Sequence, residues 1–146
     1  MGGTEIDYMS VFQSLPVPVM VMTPDLVIAD ANQAFCDITG RTCAEFVGRS
    51  VFDAFPDNPA EAGATGTMNL GASLSRVAET GRCDVMALQR YDVEVPDQPG
   101  VFKERYWCPV NAPVLGDGGE VTMLVHVVEE VSDLIRKFVE AEAANA

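Results

Sequence analysis

The sequence predicts an α+β domain: a five-stranded antiparallel sheet with helices over one face and a further helix at each end. Three observations predict it. Of 146 residues, 48% are hydrophobic and 21% charged, enough apolar mass for one domain with a real core. The second half runs in long apolar stretches broken at "PDQPG" and "GDGG", the pattern of consecutive hairpins. The first half opens on a hairpin and then passes through short helical fragments stopped by glycines.

Thr4 to Leu15 reads as a short helix, with Thr4 as N-cap and Asp7 completing a weak capping box. Ile6, Met9, Val11 and Phe12 give it an apolar side, and Pro16 stops it. A helix this short is marginal alone in water and must pack on something. Valine-rich Val17–Met22 is a strand, "TPD" a turn, and Leu26–Ala29 a second strand, joined tightly enough to require an antiparallel hairpin. Asn32 then opens three helical pieces at about 32–39, 42–47 and 50–55, with Gly40 and Gly48 as C-caps and "FPDNP" ending the last. Residues 57–66 form a loop rich in Pro, Gly and Ala. Thr67–Thr80 is a full helix with Leu70, Leu74, Val77 and Ala78 on one side and Gly81 closing it. Strand Asp84–Val95 turns at "PDQPG", returns as Phe102–Val114, turns at "GDGG" and returns as Glu120–Val131. Ser132 caps a last helix from Asp133 to the end. A sheet with helices over one face encloses a space, and such spaces are where small ligands sit.

The order of elements, with "LVIADANQAF", "ITGRT", "FVGRSVFDAF" and the closing "VVEEVSDL", resembles a PAS domain, the sensory module of many signalling proteins. The resemblance spans roughly Val11 to Leu134. It implies that Asn32 caps the first insert helix and ties it back to the hairpin, that the helical fragments wall a pocket, and that Glu130-Val131-Ser132 hands the last strand to an exit helix. It divides the chain into an N-terminal flanking helix (1–15), a PAS sensory domain (16–131) and an exit helix (132–146), whose pattern implies continuation in a longer protein. It also speaks to cofactors. Flavin photoreceptors of this family carry a cysteine in the helix after a Gly-Arg; "GRSVFDAFPD" has none, so covalent flavin chemistry is not expected. Haem sensors often place an axial histidine on the long helix, which here has none, so haem is not expected either. The ligand itself stays unknown.

Alternation on the last strand puts Thr122, Leu124, His126 and Val128 on one face and Val121, Met123, Val125 and Val127 on the other. By the resemblance the His126 face points into the pocket. Pairing through "GDGG" sets Val110 beside His126 and Cys108 beside Val128, so Tyr106, Cys108 and Val110 are expected to line the pocket with Leu124, His126 and Val128, while Arg105 and Trp107 face away. His126 reads either as a core histidine bonded to a neighbour or as a ligand contact. Cys108 and His126 are too few for a metal site, since zinc takes three or four ligands. The stretches "QRYD" (89–92) and "KERYW" (103–107) read as cross-strand ion pairs and aromatic packing, or as recognition of a polar ligand or partner.

Val131, Leu134, Phe138 and Ala141 recur at spacings of three, four and three, a short seam that fits packing on the chain's own sheet or a two-stranded coil. With Phe12 and Val125 these residues suggest a homodimer that passes signal to a downstream output domain. The net charge of −13 argues against nucleic acid and anionic membrane partners. No apolar run approaches the ~20 residues of a membrane span. Four cysteines without CxxC or a signal peptide suggest free thiols in a reducing cytoplasm. The reading is a non-catalytic sensory module of a bacterial signalling protein such as a histidine kinase, binding a small ligand. The alternatives are a small enzyme on a cone-like α+β fold with His126 as base, or a ligand-free PAS dimerisation scaffold.

Overall fold

The structure, a computed structural model, describes residues 3–60, 63, 65–90 and 92–145. Tyr91 of "QRYD" and Glu61, Ala62 and Ala64 of the loop lie outside the described residues, as do Met1, Gly2 and Ala146. The elements run α1 (Tyr8–Ser14), β1 (Val19–Met22), β2 (Ile28–Ala31), α2 (Gln33–Thr39), α3 (Cys43–Phe46), α4 (Val51–Ala54), α5 (Gly66–Thr80), β3 (Asp84–Val85), β4 (Gln89–Arg90), β5 (Val93–Glu94), β6 (Phe102–Lys103), β7 (Tyr106–Leu115), β8 (Val121–Glu130) and α6 (Ser132–Ala144). The main sheet is antiparallel in the order β2-β1-β8-β7-β3, with β4 also on β7.

The joint between hairpin and helices is built by Asn32. Its Oδ1 accepts from Phe35 N (3.0 Å), capping α2, and from Val19 N (3.0 Å), while its Nδ2 donates to Val17 O (2.9 Å). One buried side chain thus fixes a helix start and both sides of the chain entry. Gly40 ends α2 at φ +68, and a Cβ there would meet Pro96 Cγ at 2.8 Å, so the position excludes larger residues on two counts.

Besides the last helix, whose N-cap is Val131 rather than Ser132, three expectations need correction. The first helix begins at Tyr8 and its cap is Asp7 rather than Thr4: the Asp7 carboxylate accepts from Ser10 N (3.2 Å) and Ser10 Oγ (2.7 Å). The expected long strand 84–95 is broken into β3, β4 and β5. It runs beside β7, where Pro109 has no N–H to offer, and the pairing slips by one between Val85↔Val110 and Gln89↔Trp107. Beyond the break, β5 and β6 pair as a separate two-stranded sheet.

The third correction is the register of β7 on β8. Near the turn Leu115 pairs with Val121, as pairing through "GDGG" requires, but Val114 pairs with Met123. Thr122 is the extra residue, and its Oγ1 donates to Val114 O (3.1 Å). Asn111 therefore faces His126, and Pro109 faces Val128. A one-residue bulge turns every β7 side chain above it to the opposite face. Tyr106, Cys108 and Val110 accordingly leave the expected inner set, and Trp107 joins it: Trp107, Pro109 and Asn111 are buried while Cys108 is exposed.

The core lies between the inner sheet face and α2–α5. Phe35, Phe46 and Phe55 meet in edge and tilted geometry with centroids 5.4–5.8 Å apart. Each such ring contributes roughly 1.5–3 kcal/mol by burial, and each pair about 0.5–1.5 kcal/mol more. Met20, Met22, Ile28, Leu74, Val77 and Leu124 complete the floor.

Candidate functional site

The helical wall does not close fully on the sheet. A cavity of about 70 Å³ remains. Its walls are Met20 of β1, Phe35 and Thr39 of α2, Val51 and Phe55 around α4, Gly66 and Leu70 of α5, Trp107 and Pro109 of β7, and His126 and Val128 of β8, with Met86, Gln89 and Val93 at the broken strand. Most of this surface is apolar. Thr39 is spent on its own helix, its Oγ1 donating to Phe35 O (2.9 Å).

His126 is the exception, and its protonation follows from a chain of hydrogen bonds. Asp84 carries an acceptor-only carboxylate, so Ser73 Oγ must donate to it (2.5 Å). Ser73 Oγ then accepts from Asn111 Nδ2 (2.8 Å), which leaves Asn111 Oδ1 as acceptor for His126 Nδ1–H (2.7 Å). The ring is thereby held as the Nδ1–H tautomer. Its Nε2 has a free lone pair with no hydrogen-bond partner among the described residues, and the residue lines the cavity. Burial pushes the His126 pKa down to about 4, so the ring is neutral at pH 7. At the far end Arg76 Nη2 lies 2.9 Å from Asp84 Oδ2. Hydrogen bonds from Arg76 and Ser73 hold the Asp84 carboxyl below the usual range. The chain His126–Asn111–Ser73–Asp84–Arg76 connects the cavity to the surface through β8, β7, α5 and β3.

A second, polar cleft of about 270 Å³ adjoins through Gln89, bounded by Thr65, Asn69, Leu88, Arg90 and Asp92. Gln89 is gripped there, its Oε1 accepting from Asn69 Nδ2 (2.8 Å) and its Nε2 donating to Ala87 O (2.8 Å). Burial raises the Asp92 carboxyl, but hydrogen bonds from Arg90 and Asn58 outweigh it and the net shift is downward.

Of the residues expected to line the pocket, His126 and Val128 stand in its wall, and Leu124 is fully buried beneath. Tyr106, Cys108 and Val110 are on the opposite face of β7, Tyr106 donating to Glu104 Oε1 (2.6 Å). Asn111, Ser73 and Trp107 are among the residues that sequence reasoning missed. Asn111 carried a signal: it is the one amide within the apolar run "CPVNAPV".

Trp107 leads directly to the exit helix. Arg105, two residues before it, pairs with Glu130 at the end of β8. Val131 N donates to Tyr106 O (2.8 Å), and Tyr106 N donates to Ser132 Oγ (3.0 Å). The start of α6 is thus clamped to the strand that walls the cavity. Phe12, Val125 and Val131 are half-buried, whereas Leu134 and Phe138 on α6 are 64% and 62% exposed.

Among the described residues no group of three or more His, Cys, Asp or Glu side chains could hold a metal ion, and no helix is long and apolar enough to cross a membrane. Among the described residues that line the cavity, His126 is the one histidine and there is no cysteine.

A family model described as PAS fold matches residues 12–136. No curated protein matches the chain. Among solved structures, the PAS domain of a Colwellia psychrerythraea protein superposes with a TM-score of 0.67 at 12% identity, covering 86% of this chain and 95% of that one. An RNA-binding light-oxygen-voltage receptor gives 0.65 at 20% identity over 94% of this chain, and the Vibrio cholerae VqmA dimer, a DNA-binding LuxR-type receptor, 0.62 at 19% over 90%. The chain spans only 36% and 53% of the length of those last two chains.

Proposed function

The chain belongs to the PAS-fold family, and on that premise we propose that residues 16–131 are the sensory input of a signalling protein, taking a small molecule into the His126 cavity. Residues 1–15 then act as a flanking helix and 132–146 as the exit helix toward an output domain. The observation that carries the reading is the His126 ring: it is locked as one tautomer, its Nε2 has no partner among the described residues, and it stands in the wall of a mostly apolar cavity. Such a group selects a small, mostly apolar ligand with one hydrogen-bond donor, because leaving a donor unpaired there costs ~1–3 kcal/mol. A larger ligand would extend past Gln89 into the polar cleft.

The output route runs through Trp107. A ligand that moves this side chain acts on the Arg105–Glu130 pair and the two backbone contacts that hold the start of α6. The exposed Leu134 and Phe138 supply a seam for a second copy, and the half-buried Phe12 of α1 and Val125 of β8 extend that interface. The reading is non-catalytic and intracellular, with the acidic surface disfavouring nucleic acid and anionic membrane. A base with a pKa near 4 is weak at neutral pH, which weighs against the enzyme alternative.

Native mass spectrometry of freshly purified protein tests the reading against a ligand-free scaffold. Retention of a small molecule by the wild type and its loss from His126→Phe supports it. Equal retention by both, or no binding of any small hydrogen-bond donor in a screened panel, refutes it. Stoichiometric flavin or haem absorbance would also overturn it.

A further inference from the structure

Away from the cavity mouth, two of the four cysteines meet. Cys36 of α2 and Cys43, the first residue of α3, place their Sγ atoms 3.2 Å apart. Cys36 is buried and Cys43 half-buried, while Cys83 and Cys108 are exposed and pair with no cysteine. We propose that Cys36 and Cys43 form a reversible dithiol–disulfide site that takes low-molecular-weight disulfides as its reaction partner.

The geometry needs little change. A disulfide requires an S–S distance of ~2.05 Å, so the sulfurs must approach by ~1.2 Å, within reach of side-chain rotation. Cys43 Sγ now donates to Ala31 O (3.3 Å), a weak bond that oxidation removes. The two thiols also differ in role. Burial, and then the adjacent Cys43, push the Cys36 thiol up to about 12, so Cys36 stays protonated in the reduced pair. Cys43 is the one small reagents can reach.

The reaction proceeds in two exchanges. The Cys43 thiolate attacks one sulfur of the reagent; the Cys43–S bond forms, the reagent's S–S bond breaks, and the first thiolate leaves and takes up the proton that Cys43 lost. Cys36 then gives up its proton and attacks Cys43 Sγ; the Cys36–Cys43 bond forms, the bond from Cys43 Sγ to the reagent sulfur breaks, and the second thiol leaves with that proton. The two cysteines lose two electrons and the reagent disulfide gains them. Closure ties α2 to α3. Phe35, next to Cys36, lines the cavity and packs against Phe46, three residues after Cys43, at 5.8 Å, so the bond forms directly behind the cavity wall.

The test uses oxidised glutathione. Wild-type protein and a Cys83→Ser/Cys108→Ser variant are incubated with it anaerobically, quenched with alkylating agent in denaturant, and mapped by mass spectrometry. The expected result is loss of two alkylatable thiols in the double variant, a peptide cross-linked between 36 and 43 in both proteins, and full reversal by dithiothreitol. Cys36→Ser should stop at a glutathione adduct on Cys43. Alkylation of both Cys36 and Cys43 after treatment of the double variant overturns the proposal, as does an adduct on Cys36 with Cys43 left free. The two surface substitutions leave the core untouched, so the result does not depend on whether Cys36→Ser folds.

Discussion

His126 makes stability depend on pH in a window that few other groups share. In the unfolded chain it takes a proton as pH falls through about 6.5; in the fold it does so only near pH 4. The unfolded state therefore binds more protons between these values. The stabilisation is complete above pH 6.5 and is lost progressively as pH falls toward 4. With those two values the loss by pH 5 is about 2 kcal/mol, and it approaches about 3 kcal/mol at pH 4. For a chain of this size 2 kcal/mol corresponds to a fall in Tm of roughly 6 °C. Asp84, at the other end of the hydrogen-bond chain, has its carboxyl pKa lowered and titrates below this window. The assay is urea unfolding at pH 7, 6 and 5 for the wild type and His126→Gln, whose amide can still donate to Asn111 but does not titrate. The wild type should lose about 2 kcal/mol across the series and the variant much less. Parallel slopes for the two proteins would refute a buried neutral histidine.

Asn111→Ala should cost about 3 kcal/mol in urea unfolding, because it strands His126 Nδ1–H and removes the donor to Ser73 Oγ; a loss below 1 kcal/mol would mean the chain is not formed. Arg105→Ala leaves Glu130 unpaired at a partly exposed site, with side-chain exposures of 22% and 16%. It should cost about 2 kcal/mol and raise amide exchange at Val131 and the first turn of α6; unchanged exchange there would remove the clamp from the output route. Phe12→Asp with Val125→Asp should give folded monomers by sedimentation at micromolar concentration; a monomeric wild type under the same conditions rules out the dimer.

The legible parts of the fold were those governed by local chemistry. Asn32 followed by Phe35 and Gly40 marks a capped, glycine-terminated helix in any context. The hairpin signals "PDQPG" and "GDGG" likewise placed both turns. What sequence reasoning could not carry was register over distance. The turn sets Leu115 opposite Val121, and counting from it reaches Val110 at His126; the bulge at Thr122 then substitutes Asn111. No local propensity marks Thr122 as a bulge, since threonine is an ordinary strand residue. The same slip hid the candidate site. His126 was visible as the lone histidine, but Ser73 reaches it only through Asn111, across 38 residues of chain. The break at 86–88 was at least hinted at by Pro109, whose missing N–H denies a partner to any strand laid beside it.

The sole tryptophan of the chain is Trp107, buried at the cavity wall and two residues from the salt bridge that holds α6. Indole emission shifts with the polarity and mobility of its surroundings, and with one indole the signal comes from a single address. The protein therefore carries its own optical probe where occupancy and output meet. Entry of a solute, expulsion of water or loosening of the exit helix would each register in unlabelled protein. The probe also works on the millisecond scale of stopped flow, where the order of those events could be timed.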